Sequence, residues 1–199
     1  TFPPFEMMAA SLSKEGNIWA GYRQRRTDWF PGELWERHGP SHKAKIAYFA
    51  GCTASHVETD IAIAAVRLLD AAGVDFTYAG ENENCCGTPM LVCGKWDVFK
   101  ETMKKNMEAI KKVGADTVIT SCPACDMMWR QIYPRWAEKF GFEFDIKTKH
   151  YTEVIADQIK AGKFRFPDIG KKIKVTLHDS CHIGRVSSVY DAPRDFIKA

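Results

Sequence analysis

Five of the chain's seven cysteines fall in three clumps. Cys52 follows Gly51. Cys85 and Cys86 sit in Asn84-Cys85-Cys86-Gly87. Cys122 and Cys125 sit in Ser121-Cys122-Pro123-Ala124-Cys125. Between the clumps lie 32 residues (Cys52 to Cys85) and 35 residues (Cys86 to Cys122), too many for one local metal knuckle. The clumps make one site only if the fold returns the chain to the same place three times. An open parallel sheet does this, because the carboxyl ends of its strands share one edge, where ligands bind.

The hydrophobic pattern supplies such a sheet. Residues 45–50 (KIAYFA) read as a buried strand. Over 56–72, Val57, Ile61, Ala65, Leu68 and Ala72 fall on one helical face, and Gly73 fits the stop. Residues 75–79 give a second strand. Residues 96–113 give an amphipathic helix with Trp96, Phe99, Met103, Met107 and Ile110 on one side, and 117–120 (TVIT) a third strand. A helix starts at Pro123 and runs toward Gly141, with a kink or stop expected at Pro134. A fourth strand is expected at 144–148, a helix at 152–161 with Thr152 as N-cap, and a fifth strand at 172–177 (KIKVTL). Alternating strands and helices predict an α/β fold: a Rossmann-like parallel sheet of βαβ units with helices on both faces and cysteines at the C-terminal strand ends.

Residues 1–44 carry Pro and Gly punctuation and loosely alternating aromatics and arginines (Trp19, Tyr22, Arg23, Arg25, Arg26, Trp29, Phe30, Trp35). Seven Lys/Arg against five Asp/Glu over residues 1–45 is too even for a nucleic-acid surface, so the expectation is an irregular linker packed on a neighbouring module through its tryptophans. A net charge of +3 over the 199 residues likewise gives no push toward nucleic acid. No apolar run reaches transmembrane length and no secretory signal opens the chain. An odd cysteine count with two adjacent members does not suit a disulfide scaffold, so the expected setting is a reducing cytoplasm with thiols used as ligands. The start at Thr1 and the stop at Ala199 predict an internal part of a longer protein.

Five converging thiols exceed the four that zinc or an ordinary iron–sulfur cubane takes. Adjacent cysteines crowd one small ion but can reach different irons of a larger cluster. Gly87 allows the turn behind the pair a backbone angle that other residues resist. Cys122 and Cys125 stand at a helix start, which favours thiolate. A cluster with more protein ligands than a cubane follows. A structural zinc module leaves one thiolate surplus, and a Cys122/Cys125 redox dithiol leaves Cys52, Cys85 and Cys86 without a role. Cys93 reads as a buried free thiol. A second constellation, His178-Asp179-Ser180-Cys181-His182-Ile183-Gly184-Arg185, follows the fifth expected strand. Its His178, Cys181, His182 and Arg185 are candidates for proton supply, substrate binding or a further ligand.

The pattern Cys52, Cys85-Cys86-Gly87, Cys122-x-x-Cys125 resembles the cysteine-rich CCG domain of heterodisulfide-reductase-like iron–sulfur subunits, over residues 45–199. Residues 16–30, with Cys85–Met90 and Gly94–Asp97, are most similar to the iron–sulfur subunit of the membrane redox complex associated with dissimilatory sulfite reduction. The resemblance implies a linker over 1–44 from an upstream ferredoxin-like module, a first CCG domain over 45–170 and the start of a second CCG motif over 171–199. It implies a noncubane [4Fe–4S] cluster on Cys52, Cys85, Cys86, Cys122 and Cys125, and further [4Fe–4S] cubanes in the upstream module. The implied chemistry is reduction or formation of a disulfide or trisulfide, on a small sulfur-carrier protein or a low-molecular-weight disulfide. Electrons would be exchanged with a quinol-linked, haem b membrane subunit, at the inner face of the cell membrane. The alternative is an electron-relay subunit of a flavin-dependent glycolate- or lactate-type oxidase.

Overall fold

The structure, a computed structural model, describes residues 3–19, 25–168, 170–171 and 173–199. Tyr22 and Arg23 of the aromatic–arginine series, and Lys172 at the start of the fifth expected strand, lie outside these. Four strands, β1 (Ile46–Phe49), β2 (Thr77–Tyr78), β3 (Thr117–Thr120) and β4 (Lys147–His150), form one sheet in the order β2-β1-β3-β4. Every pairing is parallel. Strand order reverses between β1 and β3, since the chain goes from β1 outward to β2 and then returns to β3. The crevice at such a reversal is where open α/β sheets bind ligands.

Side-chain alternation along the central strands splits the interior in two. Ala47, Phe49 and Val118 face a core built with Phe99, Met103 and Ile110 of the Trp96–Lys112 helix and with Trp129 and Tyr133. Tyr48 and Ile119 face the opposite core, with Val66 and Leu69 of the Thr59–Ala71 helix and Ile155 of the Tyr151–Lys160 helix. The central strands are buried on both sides, and β4, at the sheet edge, is largely exposed.

Several elements depart from the sequence expectation. The single helix over 56–72 is two, Gly51–His56 and Thr59–Ala71, so Cys52 lies on a helix rather than in the loop before one. The fourth strand, expected at 144–148, starts three residues later and ends two residues later. The helix after it takes His150 as N-cap in place of Thr152, the His150 N–H bonding Glu153 at 2.7 Å. Pro134 neither breaks nor ends its helix. A π-helical stretch, Met128–Ile132, precedes it, and Pro134 falls in the first turn of Tyr133–Phe140, where a missing N–H costs little.

The first segment is not wholly irregular. Pro3–Glu15 is a helix whose Ala9 and Leu12 pack into the first core. Its apolar positions are too sparse to stand out as periodic. Trp29, Phe30 and Leu34 belong to the second core, and the Phe30 ring stacks on Tyr78 at 5.4 Å. The fifth expected strand does not form among the described residues. Residues 173–177 take no regular structure, and Ile173 and Val175 are exposed.

Candidate functional site

All five motif cysteines line one cavity of about 350 Å³ at the carboxyl ends of β1 and β3. Cys52 reaches it from the first turn of Gly51–His56, immediately after β1. Gly51 has φ +79°, and a Cβ there would stand 3.0 Å from Cys125 Sγ, so glycine lets the two chain segments close on each other. Cys85 and Cys86 arrive on the loop after β2, with the two sulfurs of Cys52 and Cys85 3.3 Å apart. Gly87 has φ +80°, and a Cβ there would lie 2.9 Å from the Phe99 ring, which confirms the expected glycine turn. Cys122 is the N-cap of Pro123–Met127, and Cys125 lies one turn in.

The thiols hydrogen-bond to one another in series. The hydrogen bond with Cys85 holds the Cys52 thiol below the usual range. Hydrogen bonds with Cys125, then with Cys85, hold Cys86 well below it, and the bond with Cys125 likewise lowers Cys122. Cys85 and Cys125 are pushed well above it by those same bonds, with burial adding to the effect. The alternation has a simple cause: five anions at this spacing cannot coexist unless a cationic centre compensates them. Among the described residues no three His, Cys, Asp or Glu side chains are arranged to hold a single metal ion. Five sulfurs around a cavity of this size suit a polynuclear metal centre, whose thiolate ligands and charge the site matches.

Sequence spacing missed the residues behind the sulfurs. Arg26 and Glu83, both buried, pair at 3.1 Å. The Glu83 carboxylate accepts the N–H groups of Ala50 (3.0 Å) and Gly51 (2.9 Å), the two residues before Cys52. Burial raises the Glu83 carboxyl to about 7 against the opposing pull of Arg26 and those N–H groups. Arg26 also donates to the Gly16 carbonyl at 3.0 Å, which accepts the Cys85 N–H at 2.7 Å. No motif marks Glu83, which is one of two glutamates in Glu81-Asn82-Glu83-Asn84, or Arg26, which sits in a run of basic residues.

The second constellation lies elsewhere. His178, Cys181 and Arg185 are exposed, His182 is half-buried, and none of the four lines the thiol cavity. Asp179 instead pairs with Arg194 at 2.6 Å. The π-helical stretch His182–Val186 packs on Pro123–Met127, and the next residue, Ser187, donates to buried Asp126 at 2.7 Å. Cys93 also stands outside the cavity, half-buried, with its thiol 3.6 Å from the Met90 carbonyl.

Comparison with known proteins agrees with this geometry. Residues 46–130 match the cysteine-rich domain family CCG. The chain is 37% identical over 172 residues to the D component of the dihydromethanophenazine:CoB–CoM heterodisulfide reductase of Methanosarcina mazei, covering 85% of this chain and 40% of that one. It is 34% identical over 153 residues to the EtfAB:quinone oxidoreductase of Syntrophomonas wolfei, covering 76% of this chain and 20% of that one. It is 31% identical over 199 residues to the probable iron–sulfur-binding oxidoreductase FadF of Bacillus subtilis, covering 95% of this chain and 27% of that one. No solved structure matches the chain. Residues 46–130 are thus a CCG cysteine-rich domain on a Rossmann-like parallel sheet. The chain that carries them is homologous to the D component of heterodisulfide reductase and to related iron–sulfur oxidoreductases, and spans 40% or less of the length of these three relatives.

Proposed function

We propose that the chain is the cluster-bearing part of a heterodisulfide-reductase-like iron–sulfur subunit. In this reading Cys52, Cys85, Cys86, Cys122 and Cys125 hold a noncubane [4Fe–4S] cluster. The observation that carries it is the convergence of five thiols from three distant chain segments on one cavity at the strand-order reversal. When bound, the cluster would supply single electrons that split a sulfur–sulfur bond into two thiols, or take them from two thiols as that bond forms. The chain's own part is to fix the sulfurs. Glu83 holds the backbone ahead of Cys52, Arg26 neutralises Glu83, and Gly51 and Gly87 admit the tight turns. Ile18, Ala54 and Ile61 give the cavity an apolar share beside the sulfurs, where a disulfide or trisulfide would enter.

The similarity to a heterodisulfide reductase and to a quinone oxidoreductase supports a subunit of a larger redox complex; the proposal adds a quinol-linked, haem b membrane partner and further cubanes on an upstream module. Attachment to the inner face of the membrane through partner subunits is part of this proposal; among the described residues no helix is long and apolar enough to cross a membrane. The substrate in this reading is a small sulfur-carrier protein or a low-molecular-weight disulfide. His178, Cys181, His182 and Arg185 are proposed to meet it from a second CCG motif that begins at residue 171.

A second reading has one observation in its favour. The four second-motif residues stand off the cavity, as they would in a relay that passes electrons without binding sulfur substrate. Iron and sulfide analysis of anaerobically purified protein, with electron paramagnetic resonance, tests the cluster; colourless protein carrying zinc defeats it. Adding a disulfide to the oxidised protein separates the readings: a changed resonance spectrum supports substrate binding at the cluster, and an unchanged one supports the relay.

A further inference from the structure

Two adjacent cysteines in an extended chain point to opposite sides, yet Cys85 and Cys86 both line the cavity. Something must hold the pair's backbone out of that alternation. The pair's own carbonyls show what does. The Cys85 carbonyl accepts the Asn106 side-chain N–H at 2.9 Å, and the Cys86 carbonyl accepts the Tyr133 O–H at 3.0 Å. Asn106 donates to the Tyr133 oxygen as well, at 3.1 Å, and its carbonyl accepts the Asn84 N–H at 2.8 Å. Both side chains are buried, and they come from separate elements, the middle of Trp96–Lys112 and the first residue of Tyr133–Phe140. The helical stretch that carries Tyr133 also carries Cys125, through the π-helical turn Met128–Ile132. A π-helical turn re-aims the residues after it, and such turns gather at functional sites.

We infer that Asn106 and Tyr133 are positioning residues for the metal centre: a two-donor clamp on the Cys85–Cys86 backbone that sets how the adjacent sulfurs meet it. The inference rests on the cluster reading above and goes beyond it by assigning the control of ligand geometry to two residues that touch no reacting atom. The phenol is suited to the task because Asn106 donates to its oxygen and leaves its O–H to the Cys86 carbonyl. Trp129 lies beside the clamp and takes part in packing alone, its buried indole N–H having no hydrogen-bond partner among the described residues. The Tyr133 ring packs on Trp129 at 4.7 Å, and Trp129 packs on Phe49 at the end of β1, three residues before Cys52.

The test compares Tyr133→Phe with Trp129→Phe in the anaerobically purified subunit. Tyr133→Phe keeps the ring and deletes only the hydroxyl. Trp129→Phe disturbs the same buried packing without touching the Cys85–Cys86 carbonyls. The expected result is that Tyr133→Phe folds and takes up iron, but shows a displaced resonance spectrum and a shifted midpoint potential. It should also lose iron to a chelator roughly two- to tenfold faster, as befits one lost hydrogen bond. Trp129→Phe should keep the wild-type spectrum and potential. Identical spectra and potentials for Tyr133→Phe and wild type would overturn the inference, as would an equal shift in Trp129→Phe, which would make the effect one of packing. If Tyr133→Phe does not fold, Asn106→Ala removes the other donor and is read the same way. Wild-type protein without iron overturns the cluster reading and this inference together; loaded wild type with an unmoved Tyr133→Phe overturns this inference alone.

Discussion

Two cysteine-bearing regions of this chain look alike in sequence and differ in space. Around Cys52 and Cys122, strand, turn, cysteine and short helix succeed one another, and the cysteines meet. Around Cys181 the same order of signals is present, yet that thiol is exposed and away from the cavity. The difference lies in strand pairing. β1 and β3 pair along four residues, so their ends arrive side by side. Residues 173–177 have no strand to pair with among those described, so no sheet contact aims the Cys181 motif at the cavity. A cysteine motif becomes a site only when the sheet beneath it is complete.

The largest effect should come from exchanging single sulfurs across this divide. Cys86→Ser is expected to abolish the cluster, read as near-complete loss of iron and of the resonance signal, whereas Cys181→Ser and Cys93→Ser should keep both. Loss of iron in Cys181→Ser would break the comparison by making that thiol a ligand.

Next in size is a pH effect on the gathered side. His56 ends the helix that carries Cys52; it is buried and, among the described residues, neither ring nitrogen has a hydrogen-bond partner. Burial, helped by Arg26, lowers it to about 4. The unfolded chain takes up this proton near the ordinary value of 6.5 and the folded chain does not. Stability from this group is therefore full above pH 6.5 and falls as pH drops toward 4, by up to about 3 kcal/mol. Denaturant titrations of the iron-free protein should show that slope, and His56→Gln should flatten it.

Gly87→Ala should cost about 2 kcal/mol, through its left-handed backbone and the Phe99 ring, and should lower iron content with it. The smallest effect probes the contact between the two regions. Ser187→Ala deletes the bond to Asp126 and should cost about 1.5 kcal/mol. Proteolysis after residue 180 should speed up while iron content holds; lost iron would show that the second region supports the first.

How much of this was legible depends on whether the signal is periodic. β1 and β3, the Trp96–Lys112 helix and the placing of thiols at strand ends follow from apolar spacing and turn residues, and the structure agrees. Asn106 and Glu83 carry no such signal: a buried polar residue in an amphipathic helix, or in a polar loop, looks like a solvated one until its partners are known. The fifth strand failed for the opposite reason. Ile173, Val175 and Leu177 alternate as a strand should, but alternation gives a strand only its faces, not a neighbour.

The Gly16 carbonyl has a practical consequence. It serves the Cys85 N–H and the Arg26 guanidinium at once, and Arg26 serves Glu83. Anyone trimming the chain to begin near residue 45 would take away an acceptor, a counter-ion and the indole of Trp29 in one cut. The excised piece would keep every cysteine and lose the scaffolding that aims two of them, so the leanest version worth expressing starts at the first helix.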